Sequence, residues 1–158
     1  MHVTDHHMFL SVTQKLMSRA VEECFGTTIY KSSLSLDQLE FTQIFEQSEC
    51  PDGKDLELWE SGGAITVNLT PDGTQKIITS IGTYRDSAKA QIDNSQMGAI
   101  LQMNIDGTDV TTLAKGVRNP QGFLLHGGKL LFTEQGPVGG DEINEMPLDS
   151  ELRNFGWP

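Results

Sequence analysis

Apolar residues alternating with polar or small ones, the period of a half-buried strand, recur along most of this chain. The pattern starts at Met8 in MFLSVTQKL and, after a polar break SRAVEECFG, returns in TTIYKSSLSL. It comes a third time in LEFTQIFEQ, where Leu39 and Phe41 keep step but Ile44 and Phe45 slip, the signature of a bulge or bend. PDGKD reads as a turn after Cys50. GAITVNL and QKIITSIG then flank a PDGT turn, GAILQMNI and VTTLAKG flank Asp106-Gly107, and GFLLH and KLLFTEQ flank Gly127-Gly128. Runs of this kind around Asp-Gly or Gly-Gly predict β-hairpins. TYRDSAKAQIDNSQ tolerates helix but has no apolar stripe, so a loop is expected there. The first seven residues, with His2, His6 and His7, are expected to form a flexible terminus with solvent-exposed histidines rather than a metal site.

With no segment carrying a convincing helical period, the fold class is all-β, a meander arranged as a propeller or a sandwich. Weak internal similarity favours the β-propeller. TPDGTQKIITSIG and LLHGGKLLFTEQG share a turn-strand-loop plan, each expected as the inner part of a four-stranded blade. At about 40 to 50 residues per blade, 158 residues supply about three. Closure takes at least about four, so residues 1–158 are expected to be part of a larger propeller domain.

Composition narrows the partners. Apolar residues make up 37% and charged ones 21%, as in a globular chain. The formal charge is −11, with no cluster of Lys or Arg, which disfavours nucleic acid. No apolar run reaches the roughly 20 residues of a membrane-spanning helix, and the first residues show no signal peptide. Cys24 and Cys50, without a CxxC pattern or a nearby histidine, argue against zinc. Either a disulfide or two buried thiols fits them, and a disulfide is favoured if the compartment is oxidising.

The candidate chemistry gathers after Gly116. In GVRNPQG, Pro120 biases Asn119 towards an extended backbone. Arg118 can grip an anionic oxygen through two parallel hydrogen bonds, and Asn119 and Gln121 can each donate and accept. A flat, polar, anionic ligand suits that set, although residue types alone favour a simple turn with a surface arginine. Downstream, a loop at Gly136-Pro137 can turn carbonyl oxygens towards a hard cation such as calcium, with Asp141 and Glu142 close behind. A solvated acidic turn is the simpler alternative.

GVRNPQG, TEQGPVGGDEIN and NFGWP, with SGGAI, IITSIG and GAILQMNIDGT before them in the same order, resemble the soluble quinoprotein glucose/sorbosone dehydrogenase family. A weaker resemblance reaches back to about Phe9. It implies a six-bladed β-propeller that binds pyrroloquinoline quinone (PQQ) and calcium and oxidises aldoses at C1. By motif position Arg118, Asn119 and Gln121 would contact the quinone, and the carbonyls of Gly136 and Pro137 would hold the active-site calcium. Glu142 would fall where some members bind a structural calcium. The implied partners are a sugar and an electron acceptor, with a homodimer left open, in a periplasmic or secreted setting. The family's catalytic base, a histidine just before the Ser-Gly-Gly equivalent, is replaced here by Glu60, a candidate base in its stead. The acidic residue expected after Ile-Gly is Thr83. A propeller that binds carbohydrate or protein without turnover is the alternative function, and a truncated chain without function is the blander one.

Overall fold

The computed structural model of the chain describes residues 1–16, 24–35, 37–51, 58–149 and 151–158. Three sheets hold its strands. The first runs in the order β1 (His2–Val3), β2 (His7–Lys15), β3 (Phe25–Ser33) and β4 (Thr42–Glu46). The second runs from β5 (Gly62–Leu69) through β6 (Gln75–Ile81) and β7 (Ala99–Asn104) to β8 (Thr111–Lys115). The third places β10 (Lys129–Glu134) between β9 (Pro120–His126) and β11 (Glu142–Pro147). A last short strand, β12 (Arg153–Asn154), returns to pair parallel with β8 at the far edge of the second sheet. Helical structure among the described residues is confined to 3-10 turns at Leu58–Glu60 and Ser87–Gln91, so no helix there is long and apolar enough to cross a membrane.

The hairpins stand where the Asp-Gly and Gly-Gly turns place them, with β5–β6, β7–β8 and β9–β10 all antiparallel. The slip in the third run is a bulge: Ile29 faces Phe45 and Tyr30 faces Gln43, which leaves Ile44 over. Some expectations need correction. β3 ends at Ser33, and β4 begins at Thr42 rather than Leu39, so Leu39 and Phe41 stay exposed. The expected loose terminus instead pairs His2 with Phe9 and Val3 with Met8, because Thr4 caps a tight turn by accepting from the His7 amide at 3.0 Å. His2 and His7 are partly buried and His6 is exposed. The expected turn at PDGKD and most of the polar break lie outside the described residues. Cys24 and Cys50 are joined by a disulfide, which ties the start of β3 to the segment after β4.

The two similar pieces occupy equivalent places in neighbouring sheets. β5 and β9 lie against each other, and β6 and β10 are the second strands of their sheets. In each hairpin the strand before the turn leads into the sheet junction, so the strand after it falls one step outward.

Packing explains why β6 is a continuous IITSI run rather than an alternation. Ile77 and Ile81 enter a core with Phe9, Ile29 and Phe45 of the first sheet. Ile78 points the other way, into a second core with Leu130, Phe132 and Met146 of the third. A strand covered on both faces is apolar on both, and each fully buried isoleucine contributes about 1.5–3 kcal/mol. This middle sheet fixes the two loops that meet beneath the site. Gly82, just after β6, touches the Glu60 segment so closely that a Cβ there would lie 1.9 Å from the Glu60 carbonyl oxygen. Only glycine allows that approach.

Candidate functional site

The segment linking β8 to β9 carries Arg118 and Asn119, and backbone hydrogen bonds hold it on both sides. Val117 donates to Gly98 at 3.1 Å, and Thr83 donates to the Arg118 carbonyl at 2.9 Å. The Arg118 amide itself donates to Glu134. Its guanidinium then has three anchors. One nitrogen donates to the Gln135 carbonyl at 2.8 Å, another pairs with the Glu60 carboxylate, and the Trp157 ring lies 5.5 Å from its central carbon.

Asn119 is fully buried. Its Oδ1 accepts from the Gly62 amide at 2.9 Å, and its Nδ2 donates to the Trp59 carbonyl at 3.2 Å and to Gln135 Oε1 at 2.8 Å. Both amide hydrogens are thus used, and the residue clamps three segments together behind Arg118.

Glu60 is buried as well. Its Oε2 accepts from Thr83 Oγ1 at 3.1 Å and from the Arg85 amide at 3.2 Å, while Oε1 takes Arg118. The two positions that depart from the family pattern, Glu60 and Thr83, are therefore bonded to each other.

Arg118, Gly136, Pro137 and Glu142 line one cleft of about 220 Å³, together with Glu134 and Trp157. Gln121, which is exposed, lines an adjoining cleft of about 570 Å³ that shares Glu134 and Glu142. The structure thus puts Arg118, Gly136, Pro137 and Glu142 on one cleft and Gln121 on its neighbour, while Asn119 lines neither and stands behind the wall. Asp141 caps the loop, accepting from the Gly136 amide at 2.9 Å. Among the described residues no group of three or more His, Cys, Asp or Glu side chains comes together as a metal site.

Sequence reasoning assigned no role to Glu134 or Trp157. Glu134 follows Leu130 and Phe132 at alternate positions of β10, so its inward direction was readable from period alone. Burial, the largest influence, pushes its carboxyl above the usual range; the Glu142 charge adds to this, and the donated Arg118 amide partly offsets it. Trp157 is brought in by the chain's tail, where Phe155 packs edge-on against Phe132 at 4.9 Å and Trp157 donates to the Gly116 carbonyl at 2.9 Å. Its indole N–H is buried and has no partner.

Known proteins resemble this chain in sequence and in fold. The chain is 39% identical to quinoprotein glucose dehydrogenase B of Acinetobacter calcoaceticus over a stretch that covers 41% of this chain and 16% of that one. A solved glucose dehydrogenase superposes with a TM-score of 0.74 at 26% identity, covering 97% of this chain and 46% of its own. The PQQ-bound form of aldose sugar dehydrogenase from Streptomyces coelicolor shares the fold, with a TM-score of 0.70 at 22% identity over 98% of this chain and 44% of that one. The chain therefore spans less than half the length of each of these relatives. The family model described as Glucose / Sorbosone dehydrogenase matches residues 2–158, and the chain belongs to that family.

Proposed function

We propose that this chain forms part of a PQQ-dependent sugar dehydrogenase that oxidises an aldose at its C1 hydroxyl. The carrying observation is the cleft that gathers Arg118, Gly136, Pro137 and Glu142. The residues suit the cofactors. A guanidinium, an indole with an unpaired buried N–H and glycine-rich walls favour a flat, carboxylated ring system. Glu134, Glu142 and nearby backbone carbonyls favour a hard cation. Arg118 and Gln121 would hold PQQ, with Asn119 fixing Arg118's segment from behind. The Gly136 and Pro137 carbonyls would hold calcium, with Glu142 near it. Bound together, the two supply a polarised quinone that accepts hydride. Arg118 orients the anionic edge, and the clamp made by Asn119 keeps the cleft wall rigid.

The same reading takes the three sheets as three of six blades and calls for an electron acceptor besides the sugar. The Cys24–Cys50 disulfide supports a periplasmic or secreted setting. A second reading, binding without turnover, is favoured by Glu60. To act as the base, this carboxylate would have to give up one of its three donors.

The test is an absorbance titration of the chain with PQQ and calcium chloride, followed by aldose and a reducible dye. A spectral shift with dye reduction, both lost in Arg118→Ala, supports the enzyme. A shift without dye reduction supports the binding reading, and no shift sinks both as they concern PQQ.

A further inference from the structure

Glu60 and Thr83 make sense only as a pair. Glu60 Oε2 needs donors, and Thr83 supplies one at 3.1 Å; an acidic residue at 83 would set a second carboxylate against the first. The Glu60 side chain is 3% exposed and that of Arg118 12%, so water and salt screen their attraction little. The guanidinium that faces the cleft is thereby neutralised from behind. The charges left on the cleft wall are the carboxylates Glu134 and Glu142.

We propose that Glu60 is a positioning and specificity-determining residue: it holds the Arg118 guanidinium against the cleft wall and cancels its charge, so that an anionic group enters only with a cation beside it. The identity of that anion as PQQ rests on the function proposed above. The charge relation does not.

Two measurements keep these separable. A Trp59→Phe chain retains Trp157 as its one tryptophan, set beside Arg118 in the cleft. Its emission is quenched in parallel by iodide, an anion, and by neutral acrylamide. Adding Glu60→Gln is expected to raise the ratio of iodide to acrylamide quenching about twofold or more, since a favourable potential concentrates anions near the ring. Arg118→Gln, which leaves Glu60 uncompensated, is expected to lower the ratio and serves if Glu60→Gln fails to fold. An unchanged ratio in either folded variant overturns the proposal.

The second measurement titrates PQQ by absorbance. Without calcium, Glu60→Gln is expected to bind PQQ about tenfold more tightly than the parent chain, and calcium should narrow the difference. If Glu60 were only structural, the variant would bind more weakly in both conditions, and that result overturns the proposal. Should the parent chain bind no PQQ even with calcium, the proposed function fails, while the quenching ratio still decides the role of Glu60.

Discussion

Asn119 shows how a residue that looks like a ligand contact in sequence becomes a clamp in three dimensions. Its amide satisfies Gly62, Trp59 and Gln135, which belong to segments that sequence cannot bring together. Asn119→Ala removes all three hydrogen bonds of a fully buried side chain and is expected to cost about 1–3 kcal/mol, read as a lower urea midpoint at unchanged slope. Tyr84 makes a second residue-scale prediction. It is fully buried, its hydroxyl bonded to Thr27 Oγ1 at 2.9 Å and Gln47 Oε1 at 3.3 Å, and burial pushes its pKa up to about 12. A folded pKa above the unfolded 10.0 means a contribution that is whole below pH 10.0 and lost as pH rises through about 12. Tyr84→Phe should be less stable than the parent at pH 7, and the gap should narrow in melts taken across that alkaline window. Motif spacing singled out Arg118, Gln121, Gly136, Pro137 and Glu142 as candidates, because each lies on a short local segment, and all five line the two adjoining clefts. The Glu60–Arg118 pair was hidden, because 58 positions separate its members.

At the scale of elements, the sequence was most readable where turn chemistry and period agree. Asp72 accepts from the Thr70 hydroxyl and from the Thr74 amide at 3.1 Å, closing the β5–β6 hairpin, and Asp106 does the same with Thr108 between β7 and β8. The Thr70 hydroxyl is the leading cause that holds the Asp72 carboxyl below its usual range. A depressed folded pKa gives stability that is present above the ordinary 3.8 and lost as pH falls through the lower folded value. Asp72→Ala should therefore melt below the parent at pH 7, with the difference shrinking in acid; a constant gap would show that the carboxylate charge is not involved. The disulfide closes a separation of 26 residues, for which chain entropy predicts about 3–4 kcal/mol of stabilisation. Reduction with the fold otherwise intact should lower the urea midpoint accordingly. β1 and β12 were not legible, since two-residue strands carry no period, and β12 takes its place from β8, far back in the sequence.

At the scale of the whole molecule, hydropathy announced sheets but not how they stack. That arrangement depends on which face of each strand meets which neighbour, and β6 settles it by feeding both cores. Ile77 joins the core shared with the first sheet and Ile78 the core shared with the third, one residue apart on opposite faces. The middle sheet is therefore common to everything packed on either side of it, and damage there cannot remain local. Ile78→Ala removes a fully buried side chain from the second core only and should cost about 2–5 kcal/mol. If the sheets unfold as one unit, native-state hydrogen exchange will show the slowest amides of β3 in the first sheet losing the same protection as those of β10 in the third. If β10 alone loses protection, the two cores open independently and the sheets are separable modules. The cleft sits where the tail, the segment after β8 and the loop joining β10 to β11 converge. Coupled opening would therefore dismantle the Arg118 wall only when the whole assembly unfolds.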